Sequence, residues 1–338
     1  MSRIYITDTT LRDGSHSVSH QYTLKDVEKI AGALEEAGVD IVELGHGDGL
    51  TGSTINYGFA PHDDFEYIRA GASVLDKSKL AVLLIPGIGI VKDLKKAKEC
   101  GAKAVRVATH ITEADISEQH IKAAKDMDLF TVGFLMMAHM VDKEKLLEQA
   151  LLMESYGADV VYVTDSAGAL LPHEVYERVK YLKENLKVPI GHHAHNNLGV
   201  AVANSIAAIQ AGATYVDGSL IGLGAGAGNT PTEMLVAVLK KMNMDINADL
   251  YKTIDAGDNV LIPIIKEKGK ELPGFSSDSL MIGYTGVYSS FMLHARAAAN
   301  RFGVDVRDIL IELGKKKAVG GQEDWIIEVA YELSKDKQ

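Results

Sequence analysis

Two histidines two positions apart, His193 and His195, are the most specific chemical signal in this chain. On a strand, residues two apart face the same way, so both imidazoles project together. Two neutral imidazoles suit a borderline divalent metal, and a carboxylate would complete the set. The run Asp8-Thr9-Thr10-Leu11-Arg12-Asp13-Gly14, with His16 close behind, offers both Asp8 and Asp13. Two histidines and one carboxylate, with water in the open positions, fit Mn²⁺, Fe²⁺, Co²⁺ or Zn²⁺. His192 faces the other way and is expected to pack against a helix. Further polar clusters are Glu43-Leu44-Gly45-His46, Thr109-His110 and Thr164-Asp165-Ser166, together with a glycine loop from Gly222 to Asn229. After that loop, Thr230 and Glu233 have the spacing of a helix cap, so the loop resembles a phosphate cradle. Alternatively, its glycines let backbone approach the metal site.

A regular alternation of elements must hold these groups in place. Apolar runs at Ile4–Thr7, Asp40–Leu44, Lys79–Ile85, Ala104–Ala108, Phe130–Met137, Asp159–Thr164, Pro189–Ala194 and Tyr215–Leu220 read as strands buried on both faces. Amphipathic segments follow each one, from Leu24–Ala37 to Pro231–Met242. Gly38, Gly101, Gly157 and Gly212 sit where left-handed helix caps belong. Eight such units predict an α/β fold, a (β/α)₈ barrel over residues 1–247, with an open doubly wound sheet as the rival. In a barrel, the polar clusters fall where active sites form, at the C-terminal ends of the strands. The rhythm stops after Met242. Ile254–Glu271, Gly303–Lys317 and Asp324–Ser334 read as helices of a smaller helical domain over 248–338.

Composition excludes several classes of partner. The 338 residues carry a net charge of −11, which repels phosphate backbones and anionic membranes. The longest apolar stretch, Leu80–Val91, is broken by Pro86 and is too short to span a bilayer. Cys100 is the single cysteine, so neither an intramolecular disulfide nor a cysteine zinc site can form. That fits a reducing cytoplasm, as does an N-terminus that enters a strand-like run with no signal-peptide core.

The first-strand run, the segment Gly191-His192-His193-Ala194-His195-Asn196 and the loop ending at Asn229 resemble the metal-dependent pyruvate aldolase/lyase family of TIM barrels. That family spans acyl-CoA lyases, Claisen-type synthases and 4-hydroxy-2-oxovalerate aldolases. The last branch is the most similar, through Leu11–His16, Val42–Gly49, Asp165–Gly168, Gly222–Asn229 and Gly283–Phe291. The resemblance implies a reversible retro-aldol cleavage of 4-hydroxy-2-oxopentanoate to pyruvate and acetaldehyde, in the meta-cleavage breakdown of aromatic or steroid compounds. It implies Asp13, His193 and His195 as ligands of Mn²⁺, with Co²⁺ or Mg²⁺ as substitutes. Arg12 corresponds to the stabiliser of the pyruvate enolate and His16 to the base for the 4-hydroxyl. Ser166 corresponds to a contact of the substrate carboxylate. Tyr284, with Tyr288 ranked second, corresponds to a tyrosine that positions the substrate, and Asn229 stands behind the metal ligands. The C-terminal region is implied to contact an acylating acetaldehyde dehydrogenase that receives the aldehyde through a channel. The absence of cysteine from the glycine loop lowers the acyl-CoA alternative. Intact Arg12, Asp13, His16, His193 and His195 speak against an inactive barrel that serves as an assembly partner.

Overall fold

Eight parallel strands pair in sequence order and close on themselves, β1 with β8. They are β1 (Tyr5–Leu11), β2 (Ile41–Leu44), β3 (Lys79–Leu84), β4 (Ala104–His110), β5 (Phe130–Met136), β6 (Val160–Asp165), β7 (Ile190–Ala194) and β8 (Tyr215–Gly218). The computed structural model describes residues 3–274 and 276–335. The helices α1 (Leu24–Ala37), α2 (Asp64–Ala72), α3 (Val91–Cys100), α4 (Glu118–Asp126), α5 (Lys143–Tyr156), α6 (Pro172–Asn185), α7 (Ala201–Ala211) and α8 (Thr232–Lys241) return the chain between strands. The open-sheet rival is therefore excluded. Gly38, Gly101, Gly157 and Gly212 cap α1, α3, α5 and α7 at φ 77°, 119°, 107° and 111°, a region that costs other residues a Cβ clash.

Two stretches differ from the sequence reading. β1 runs on through Leu11, so Asp8, Thr9 and Thr10 lie inside the strand rather than after it. A buried polar run survives there because its groups are bonded. Asp8 accepts from the Thr232 hydroxyl at 2.7 Å and from the Thr10 N–H at 2.9 Å. Burial still pushes its pKa up to about 6. The helix after the glycine loop starts at Thr232, with Pro231 as its cap residue and no side-chain cap. Thr230 instead meets the Ser205 hydroxyl at 3.2 Å, and the Glu233 carboxylate takes the Ile221 N–H at 2.9 Å.

Beyond α8 the chain is helical: α9 (Leu250–Asp255), a π-helical stretch Ala256–Leu261, α10 (Ile262–Glu267), α11 (Ser277–Thr285), α12 (Phe291–Phe302), α13 (Val306–Lys315) and α14 (Asp324–Lys335). Ala256, Leu261, Ile264 and Ile265 join the main core of the barrel. A separate apolar cluster holds α11–α14 together, including Ile282, Phe291, Ala295, Ile309, Leu310 and Ile326. The sequence reading lacked α11 and α12. In α11, serines and Gly283 depress helix propensity and blur the apolar period. Gly283 is there for approach: a Cβ would stand 2.7 Å from the Cβ of Asn197, beyond β7. Among the described residues, no helix is long and apolar enough to cross a membrane.

Candidate metal centre

Asp13 opens a single 3₁₀ turn, Asp13–His16, directly after β1. His193 lies on β7, and His195 follows the strand in a bridge to Asn229. The three side chains meet at the barrel mouth. One ligand atom from each lies within 4.8 Å of the others, and all three residues are buried. Asp13 Oδ2 is 3.5 Å from Nε2 of both His193 and His195. The two rings are 5.1 Å apart, as same-face neighbours on a strand should be. Asp8, inside β1, is bonded to Thr232 and Thr10, and Asp13 is the aspartate that lies beside the two histidines.

The surroundings fit a cation. His193 Nδ1 is 2.8 Å from Asp217 Oδ2. A carboxylate only accepts, so Nδ1 carries the proton and Nε2 turns toward Asp13. Burial disfavours a charged His193, but Asp13 and Asp217 outweigh it and raise its pKa. Burial likewise works against ionised Asp13, yet Arg12, His193 and His195 hold it well below the usual carboxylate range. Around them lies a chain of buried charges. Arg12 donates through Nη1 to Asp13 Oδ2 and through Nε to Glu43 Oε2, each at 2.9 Å. Arg106 donates to Glu43 Oε2 at 3.1 Å and also to Asp217 Oδ2. Two guanidiniums face three carboxylates, so one negative charge is left for a proton or a metal to balance. Buried charge uncompensated in this way is costly. The Oδ1 of Asn229, next to His195 across the bridge, is buried without a hydrogen-bond partner. The donor set, the excess charge and this orphaned oxygen all fit a divalent metal.

Glu43, Arg106 and Asp217 carried no role in the sequence reading beyond the motif containing Glu43. The signal available was a charged residue inside an apolar strand, at the middle of β2, β4 and β8. Arg106 is 2% exposed, with its guanidinium over the rings of Phe134 at 4.2 Å and Tyr162 at 4.6 Å.

The glycine loop folds onto Asp13 instead of opening its backbone as a phosphate cradle. Its backbone is engaged internally, with Asn229 N–H to Gly222 O and Gly228 N–H to Ala225 O, each at 3.0 Å. The Ala225 N–H donates to Asp13 Oδ1 at 3.0 Å. At Gly228, φ is 84° and a Cβ would sit 1.9 Å from the Gly222 carbonyl. That crossing lets the loop fold back onto Asp13.

The remaining residues singled out in the sequence fall at different depths. His16 ends the 3₁₀ turn, half-buried, with its ring against Gly47; a Cβ there would lie 2.4 Å from Nε2. The Ser166 hydroxyl accepts the Met137 N–H at 3.1 Å, leaving its own proton to donate. Asp165 builds the turn behind it by accepting from Ala169 and Leu170 at 2.9 and 3.0 Å. His192 is buried, with Nδ1 2.9 Å from the Val163 carbonyl. Tyr284 on α11 is 72% exposed. Tyr288, just beyond α11, is half-buried and packs against both the barrel core and the C-terminal cluster.

Known proteins with the same features bear on this geometry. Residues 3–260 match the HMGL-like family, and residues 273–335 match the DmpG-like communication domain. A 4-hydroxy-2-oxovalerate aldolase of Pelotomaculum thermopropionicum is 58% identical over 99% of this chain and 97% of its own length. One from Geobacillus thermodenitrificans is 58% identical over 99% of this chain and 96% of its own. Among solved structures, the carboxyl transferase domain of Rhizobium etli pyruvate carboxylase superposes with a TM-score of 0.81 at 19% identity, covering 99% of this chain and 61% of that one. That likeness concerns the fold alone.

Proposed function

The chain belongs to the HMGL-like family and, within it, to the 4-hydroxy-2-oxovalerate aldolases, and from that premise we propose that it cleaves 4-hydroxy-2-oxopentanoate reversibly to pyruvate and acetaldehyde. The observation that carries this reading is the convergence of Asp13, His193 and His195 beside the buried guanidinium of Arg12. These three residues would hold Mn²⁺, with Co²⁺ or Mg²⁺ as substitutes. When bound, the metal supplies Lewis acidity toward the carboxylate and 2-oxo oxygens of the substrate.

The protein side chains do the rest. Arg12 is fixed by Glu43 and Asp13 through Nε and Nη1. Nη2 is left to donate to the oxygen on which enolate charge grows, an arrangement that costs little reorganisation as the reaction proceeds. His16, at the end of the turn that Asp13 opens, takes the proton of the 4-hydroxyl; an imidazole suits that task at neutral pH. Loss of that proton lets the bond between C3 and C4 break, with acetaldehyde as one product and the pyruvate enolate as the other. Ser166 donates its hydroxyl proton to the substrate carboxylate. The family resemblance gives Tyr284, exposed on α11, the role of positioning the carbinol end of the substrate. Asn229 supports the ligands from behind.

Residues 273–335, which match the communication domain, form the face toward an acylating acetaldehyde dehydrogenase that takes the aldehyde onward. Such a pair would work at the end of a meta-cleavage route. A coupled assay of pyruvate release from 4-hydroxy-2-oxopentanoate tests the reading, run with chelator and then with each metal restored. Release that needs the metal supports it. Release unaffected by complete metal removal, or turnover of acyl-CoA thioesters instead, overturns it.

A further inference from the structure

A second group of ligating side chains lies on the far side of the Asp13–His16 turn. We propose that His16, His20 and Asp48 form a second cation site, taking a borderline divalent ion such as Zn²⁺, and that filling it silences the enzyme by occupying His16. The silencing rests on the reading of His16 as the base; the site itself does not.

One ligand atom from each of the three residues lies within 4.8 Å of the others, the same condition met by the Asp13 triad. Two imidazoles and one carboxylate are again the donor set that a borderline cation prefers. The chain is shaped to bring the rings together. His20 is held at φ 60°, a left-handed conformation uncommon for any residue with a Cβ. Its ring stacks on His46 at 3.8 Å and meets His16 edge-on at 4.9 Å. Two glycines make room: a Cβ at Gly47 would enter the His16 ring, and one at Gly58 would lie 3.2 Å from His20 Cδ2. His20 Nδ1 is 3.0 Å from the Ser15 hydroxyl, whose own proton goes to the Arg12 carbonyl, so Nδ1 donates and Nε2 keeps the free lone pair. His46 braces Asp48 from behind, with Nδ1 accepting the Asp48 N–H at 3.1 Å and lying 3.5 Å from Oδ2. His16 and Asp48 are half-buried, so an ion can enter from the mouth. An imidazole bound to a metal has lost the lone pair that would accept a substrate proton. Excess cation would therefore inhibit from this side while the Asp13 triad stays filled.

The test uses the full chain, stripped by chelator and titrated with Zn²⁺ by calorimetry, with bound metal counted after gel filtration. Pyruvate release in saturating Mn²⁺ is followed alongside as Zn²⁺ is added. The comparison variants are His20→Asn, because asparagine accepts the left-handed backbone, and Asp48→Asn, with circular dichroism to check folding. The expected result is two Zn²⁺ per wild-type chain and one per variant. Activity of the variants in Mn²⁺ should stay within about twofold of wild type, and the midpoint of Zn²⁺ inhibition should rise at least about tenfold, the mark of a lost ligand. One Zn²⁺ per wild-type chain at every concentration overturns the proposal, and so does a second ion that persists in both variants. A second ion that disappears in the variants but leaves wild-type cleavage untouched upholds the site and refutes His16 as the base.

Discussion

The barrel mouth and the core of the C-terminal helices are held together by opposite means. At the mouth, Arg12, Asp13, Glu43, Arg106, His193 and Asp217 are buried and bonded to one another. In the C-terminal helices the interior is apolar, from Ile282 to Ala330, and the ion pairs Arg296–Asp278 and Arg307–Asp305 are on the surface. Apolar burial is the cheaper route to stability, because it carries no charge desolvation. A buried charge chain that gains little in net stability is retained for what it positions. The barrel mouth is thus a polar interior that must be satisfied by pairing, and the helical unit an apolar one that closes on itself.

The sharpest break of this contrast is at the reacting groups. His16→Ala should lower cleavage by about 10²–10⁴-fold, the usual worth of a positioned base. Exchange of pyruvate methyl protons, which does not need the 4-hydroxyl base, should stay close to wild type; equal loss of both activities would remove His16 from that role. Next comes Arg106→Met. It leaves Asp217 without its guanidinium and Glu43 with Arg12 alone, so chemical denaturation should show a loss of about 3–5 kcal/mol together with weakened metal binding. Ile326→Ala in the C-terminal core should cost about 2–4 kcal/mol through its cavity. Its folded fraction should keep wild-type kcat for pyruvate release, whereas a matching fall in kcat would tie the helical core to the chemistry. The smallest effect concerns pH. Burial first, then Asp8 and Asp258, raise Glu233 to about 7 against the N–H bonds it accepts. The folded state therefore holds a proton that the unfolded state has released, and stability falls as pH rises from the ordinary glutamate range to about 7. Glu233→Gln should flatten that part of the Tm–pH curve relative to wild type.

Periodicity made the barrel legible, since eight apolar runs buried on both faces leave few other arrangements. Same-face spacing made His193 and His195 legible as a pair. Spacing alone narrowed the partner carboxylate to Asp8 and Asp13, and only the family resemblance pointed to Asp13; the bond that engages Asp8 comes from Thr232, 224 residues away. Glu43, Arg106 and Asp217 were illegible as a group because the barrel closure that joins β2, β4 and β8 around His193 has no local signature. α11 was lost for a different reason: its serines and Gly283 weaken helix propensity, and Gly283 is there for close approach to Asn197. The spacing of Thr230 and Glu233 resembled a cap, but tertiary contacts to Ser205 and Ile221 claimed both side chains.

The central claim is that Asp13, His193 and His195 hold one divalent ion. Electron paramagnetic resonance of free Mn²⁺, titrated into the chelator-stripped chain and into His195→Ala, measures it directly. The account predicts one tight site in the wild type, weakened at least about 100-fold in the variant, with the fold intact by circular dichroism. Equal Mn²⁺ affinity in the two proteins would contradict it.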